Sequence, residues 1–206
     1  MSQNQIPALA DLVSAARIVA LPLRTKFRGL EEREALLFEG PNGWTEWSPF
    51  VEYPDEEAAV WLAAAIDFAH GNLPSLYRDH IAVNATLPAV APEHVDRVLT
   101  NFGEFATVKI KVAEAGQNIV DDVARIHRVR ELYPDTKIRL DANGGYEIEQ
   151  AVELVNKLQA IDINIEYFEQ PVSSIAEMAE LRLQLSRIGV LIAADESVRK
   201  VSDPLA

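Results

Sequence analysis

The feature that most constrains this chain is a regular alternation of short β-rich runs and amphipathic stretches over its last two thirds. Strands are predicted at 81–86, 107–112, 137–141, 165–169 and 190–195. Helices are predicted between them: one opened by Pro92-Glu93, then 119–133 ended by Pro134, 147–160, and 175–185. Strands alternating with helices of this length build βαβ units around a parallel sheet. The strand ends fall at Lys111, Asp141, Glu169 and Asp195, in steps of 30, 28 and 26 residues. Such a period fits a (β/α)8 barrel. A doubly wound sheet is the alternative, but it carries a glycine-rich phosphate loop after its first strand. Here that position reads Leu87-Pro88-Ala89-Val90, with no glycine. The expected architecture is therefore α/β, with residues 79–206 forming the first part of a (β/α)8 barrel.

The front of the chain follows another grammar. Residues 1–15 are expected to be a flexible lead-in. Residues 16–27 predict a strand interrupted by Pro22, and 34–39 a second strand. The turn Gly40-Pro41-Asn42-Gly43 leads to a third strand at 44–47. Three strands in close succession make an antiparallel meander. A helix over 56–70 is expected next, capped by Asp55 and closed by Gly71, with Val60, Ala63, Ala64, Ile66 and Phe68 supplying its buried face. Residues 16–78 thus predict a small α+β module.

Composition removes several function classes. The 206 residues carry 19 Lys+Arg against 32 Asp+Glu, a net charge of −13, and that balance opposes binding to nucleic acid or anionic membranes. The absence of cysteine excludes disulfides, thiolate metal sites and cysteine nucleophiles. No stretch approaches the ~18 apolar residues of a membrane span. The amino end lacks the layout of a secretory signal, so a cytoplasmic location is expected.

The chemistry lies at the strand ends: Lys109 and Lys111, then Asp141, then Glu169, then Asp195. In a barrel the carboxyl ends of the strands meet on one face. Any one of these carboxylates alone reads as a solvated loop residue, and a lone Lys-x-Lys as an edge-strand feature. The ordered set carries the information. Three converging carboxylates raise one another's pKa, and a bound cation relieves that repulsion. An all-oxygen donor set suits Mg2+ or Mn2+. The neighbouring lysines offer a proton-transfer base.

The pieces Lys109-Ile110-Lys111, Leu140-Asp141-Ala142-Asn143, Phe168-Glu169-Gln170-Pro171 and Ala194-Asp195-Glu196-Ser197 together resemble the second to fifth barrel-strand signatures of the enolase superfamily. The meander and helix before them resemble its α+β capping domain, and the lysine pair resembles that of the muconate-lactonizing-enzyme subgroup. A narrower resemblance is to the family of o-succinylbenzoate synthases, dehydratases of menaquinone biosynthesis. It rests on the short cap, on the segment 139–143, and on the loop Leu21–Gly29, which is similar to one these enzymes lay over substrate.

The resemblance implies a Mg2+ site of Asp141, Glu169 and Asp195, with Lys111 as base and Lys109 as its charged neighbour. It implies a small carboxylate substrate, held by Arg24, Arg28 and Asn143. The reaction implied is removal of a proton α to a carboxylate, giving an enediolate stabilised by the cation. N-acylamino-acid racemases and dipeptide epimerases share this scaffold and form the alternative. The third reading is an inactive fragment that serves only as a folding or interaction module.

The pattern departs from the family in one respect. Five strands are present where the family has eight, and its sixth-strand lysine has no counterpart here. The expectation is an amino-terminal fragment, by itself inactive or nearly so. Its open sheet edge invites self-association.

Overall fold

The computed structural model describes residues 6–27, 29–198 and 203. The chain divides into two compact units, one ending at His80 and the other beginning at Ile81.

In the first unit, strands β1 (Arg17–Phe27), β2 (Leu30–Gly40) and β3 (Gly43–Trp47) form an antiparallel sheet in sequence order. Pro22 does not end β1. It lies opposite Glu32, and the register shifts between Pro22 and Phe27. An edge strand tolerates proline because half its backbone N–H groups have no ladder partner to lose. Helix α1 (Leu9–Ala15) replaces much of the expected flexible lead-in, and its Leu12 packs against the core of this unit.

Helix α2 spans Asp55–His70, so Asp55 is its first residue and Pro54 its cap. The buried stripe of α2 is Leu62, Ala65, Ile66 and Ala69, packed with Phe38, Leu36 and Trp47. The expected face holds only at Ile66: Val60, Ala63, Ala64 and Phe68 are exposed. Small residues win because the helix lies close on the meander. A Cβ on Gly40 would sit 2.6 Å from the Ala69 carbonyl oxygen. Asn42 fastens the contact, donating through Nδ2 to the Phe68 and Gly71 carbonyls at 3.0 and 2.7 Å.

In the second unit, strands β4 (Ala85–Leu87), β5 (Thr107–Lys111), β6 (Lys137–Asp141), β7 (Tyr167–Glu169) and β8 (Leu191–Ala193) pair in that order, all parallel. The sequential order matches barrel winding. A doubly wound sheet would reverse order at a switch point. The connecting helices are α3 (Val95–Leu99), α4 (Ile119–Leu132), α5 (Ile148–Ala160) and α6 (Ile175–Ser186).

Three strands are shorter than expected, because a strand persists only where it has a ladder. Ile81 and Val83 precede the first β4–β5 pair, Ala85 with Val108, and are 75% and 83% exposed. Likewise β7 and β8 extend only over their three paired positions. Helix ends follow local chemistry. Asn118 and Asp121 form a capping box on α4, as do Ser174 and Glu177 on α6.

Alternation along β5 and β6 sets the two faces. Val108, Ile110, Ile138 and Leu140 are fully buried with Ile126, Leu154, Phe168 and Leu181 in one core. Lys109, Lys111, Arg139 and Asp141 occupy the alternate positions and so face the other way. Phe168 has no exposed surface. The Phe168→Ala variant is expected to lose about 3–5 kcal/mol of unfolding free energy, read from urea denaturation curves.

Candidate active site at the carboxyl end of the parallel sheet

The register places Lys111, Asp141, Glu169 and Ala193 side by side in one row across four strands. Asp141 is the pivot. Its carboxylate is completely buried, and its Oδ2 lies 2.8 Å from Lys109 Nζ and 2.5 Å from Lys111 Nζ. Lys109 also donates to Glu169 Oε1 at 3.1 Å, so one ammonium is shared by carboxylates from two neighbouring strands. Lys111 donates further to Asn143 Oδ1 at 2.6 Å, and Asn143 Nδ2 donates to Glu196 Oε1 at 2.6 Å.

Burial and charge act in opposite directions here. Burial favours the neutral form of Asp141, but hydrogen bonds and attraction from Lys109 and Lys111 outweigh it, leaving the carboxyl below its ordinary range. Glu169 goes the other way. Burial comes first; the hydrogen bond from Lys109 opposes it, but repulsion from Asp141 and Asp195 adds to burial, so its pKa is raised. Burial also acts against the Lys109 cation, but its bonds to Asp141 and Glu169 prevail and raise its pKa. The mutual elevation expected for the carboxylates therefore holds at Glu169 and is reversed at Asp141 by the lysines.

The structure brings Lys109, Lys111, Asp141, Glu169 and Asn143 together. Asp195 lies past the end of β8, exposed, and acts on Glu169 through its charge. Among the described residues no three acidic or histidine side chains are grouped closely enough to hold a metal ion. The donor chemistry nonetheless fits a hard cation, since Asp141 and Glu169 already share one positive charge through oxygen atoms. Arg24 is exposed on β1, in the other compact unit, and Arg28 lies outside the described residues.

Two arrangements went unread in the sequence. Gln170, inside the Glu-Gln-Pro segment, is 1% exposed and sits at φ 35°, unusual for a side-chain-bearing residue. Its Oε1 accepts from the Asp195 and Ser197 backbone N–H groups at 2.9 and 3.2 Å and from Ser197 Oγ at 2.9 Å. Its backbone oxygen accepts from Gly144 N–H at 2.7 Å. Gln170 thereby ties the loops after β6, β7 and β8. A glutamine after a strand-end glutamate was the available signal. The second arrangement lies two residues earlier on β6, level with Lys109, where Arg139 donates to Glu166 Oε2 at 2.6 Å and to Asn84 Oδ1 at 3.2 Å, with its guanidinium 5.0 Å from the Tyr167 ring.

A depressed carboxyl stabilises the fold above its unfolded pKa, ~3.9 for Asp, and that contribution is lost as pH falls through the folded value. The metal-free Asp141→Asn variant is expected to be less stable than the parent at neutral pH. The gap should close as the pH is lowered through that range, read from urea midpoints with chelator present. Glu169→Gln should behave oppositely, since an elevated carboxyl costs stability at neutral pH and regains it on acidification.

Comparison with known proteins agrees with this geometry. The enolase N-terminal domain-like family matches residues 18–69, and the enolase C-terminal domain-like family matches residues 91–204. The chain is 48% identical to the o-succinylbenzoate synthase of Mycolicibacterium smegmatis over 202 residues, which are 98% of this chain and 61% of that protein. It thus spans about three fifths of that relative's length. Among solved structures, a mandelate racemase/muconate lactonizing protein from Herpetosiphon aurantiacus superimposes with a TM-score of 0.75 at 22% identity, over 92% of this chain and 68% of that one. An o-succinylbenzoate synthase from Thermosynechococcus elongatus, complexed with Mg in its active site, does so with a TM-score of 0.62 at 21% identity, over 92% and 70%. These structural likenesses concern the fold: a (β/α) barrel arrangement of which five strands are seen here.

Proposed function

Since the chain belongs to the enolase superfamily, we propose that the protein carrying this sequence is a Mg2+-dependent o-succinylbenzoate synthase. It would eliminate water from 2-succinyl-6-hydroxy-2,4-cyclohexadiene-1-carboxylate in menaquinone biosynthesis. The observation that carries this reading is the row of Lys109 and Lys111 against Asp141 and Glu169 on adjacent strands. The 48% identity to a protein of that name supports the choice of reaction.

In this reading Lys111, which donates to Asp141 in the resting site, reacts as the neutral amine, and its Nζ takes the proton α to the substrate carboxylate. The C–H electron pair passes into the carboxylate as an enediolate. When the enediolate collapses, the C–O bond to the hydroxyl breaks, and Lys111 returns its proton so that water leaves and the ring becomes aromatic. Lys109 stays protonated, because Asp141 and Glu169 hold its ammonium, and it adds positive charge where negative charge develops. Asn143, bonded to Lys111 Nζ, orients that amine. Asp141, Glu169 and Asp195 would hold Mg2+, which when bound supplies Lewis-acid stabilisation of the substrate carboxylate.

The test is dehydration of the cyclohexadiene by the full-length protein, with Mg2+ and with chelator. Lys111→Ala is expected to lower kcat by about 10²–10⁴-fold, the usual contribution of a positioned acid/base, and to leave Mn2+ affinity nearly intact. Retained turnover would assign the base elsewhere.

A further inference from the structure

Among the described residues, the largest fully buried side chain is a charged one. Arg125, on α4, is 1% exposed and so is its partner Asp122. Arg125 Nε donates to the Val90 carbonyl at 2.7 Å, in the loop after β4. One terminal nitrogen donates to the Lys111 carbonyl at 3.0 Å and to Asp122 Oδ1 at 2.6 Å. The other donates to the Gln117 side chain, which itself donates to the Ala89 carbonyl at 2.8 Å. Asp122 Oδ2 accepts from the Ala113 backbone N–H at 3.2 Å and from the Tyr146 hydroxyl, in the loop after β6. Tyr146 N–H donates to the Pro171 carbonyl, in the loop after β7, at 3.2 Å.

We propose that Asp122, Arg125 and Tyr146 are positioning residues for the candidate active site: a buried brace between α4 and the loop after β6 that fixes where Lys111 and the Asp141–Asn143 turn stand. This rests on the reading of Lys111 as the reacting base. The brace grips the backbone on both sides of the row. Arg125 holds the Lys111 carbonyl itself. Asp122 holds Ala113, whose φ of 60° a residue with a side chain seldom adopts. Tyr146 holds the far end of the turn that presents Asn143. The two strand exits also pass in contact, since a Cβ on Gly145 would lie 2.9 Å from Ala113 Cβ.

Stability alone does not account for such a group. A buried ion pair is desolvated at a cost that its attraction roughly offsets, and well-packed apolar side chains of similar volume often serve as well. What apolar packing cannot do is hold named carbonyl and N–H groups of three loops at fixed distances. Burial, followed by the bond to Asp122, raises the Tyr146 pKa well above that of an ordinary phenol, so its hydroxyl remains a donor.

The experiment compares the full-length protein with Tyr146→Phe, which removes one hydroxyl, and with Arg125→Met. Amide exchange is measured at 111–113 and 142–146, together with kcat, KM and the melting temperature. We expect a folded protein with faster exchange at those two segments, confined to them in Tyr146→Phe and reaching the loop after β4 as well in Arg125→Met. We expect kcat to fall about ten- to a hundredfold, as for a misplacement near 1 Å, with KM little changed. Wild-type exchange and kcat in Tyr146→Phe would overturn the proposal, and so would an activity loss that merely tracks the unfolded fraction. Should Arg125→Met fail to fold, Tyr146→Phe decides. Should the parent itself show no dehydration, the functional reading fails, and the exchange measurement alone decides whether the brace exists.

Discussion

Everything at the carboxyl end of the parallel sheet depends on keeping one buried carboxylate charged. Asp141 has no exposed surface, and an isolated ionised carboxyl in that position would take up a proton or unfold its surroundings. Two ammonium groups from β5 prevent this. They can do so only because β5 and β6 pair with Lys111 opposite Asp141. A slip of one residue would turn both lysines into the layer beneath the helices and leave Asp141 alone. The charge pattern and the sheet register thus enforce each other.

That constraint divides the labour within the row. Neighbouring carboxylates on β6 and β7 are displaced in opposite directions, Asp141 downward and Glu169 upward. Environments that separate like groups in this way are a mark of acid/base sites. The ion pair of Arg139 and Glu166 one layer below keeps polar groups in the sheet interior bonded, where many barrels place branched apolar side chains.

Much of this was legible in the sequence. Strand order, helix positions and the row Lys109, Lys111, Asp141, Glu169 follow from periodicity, because a two-residue repeat and a strand-end position fix which way a side chain faces. The limits of β4, β7 and β8 were not legible, since a strand ends where its neighbour's ladder ends. The buried stripe of α2 was misread for a similar reason: close approach at Gly40 selects Ala65 and Ala69 over larger neighbours. Gln170, Asp122 and Arg125 stayed hidden because hydrophilic residues on loops and helices read as solvated. Only the folded chain shows the carbonyl and N–H groups they meet.

The fold is common to proteins of different names, including the mandelate racemase/muconate lactonizing protein, so the reaction must be argued from side chains and not from the sheet. Lys109 and Lys111 stand on one strand, two residues apart, and so lie on one face of the sheet. Removing a proton and a hydroxyl from the same face needs a single amine that first accepts and then donates. Racemisation needs a second acid/base group across the substrate plane. The bonded pair of Lys111 and Asn143, with Lys109 kept charged beside them, supplies the amine on one side that both reactions require. The geometry on β5 therefore serves the step that elimination and racemisation share, proton abstraction: one amine, held at one place, next to a charge that does not move.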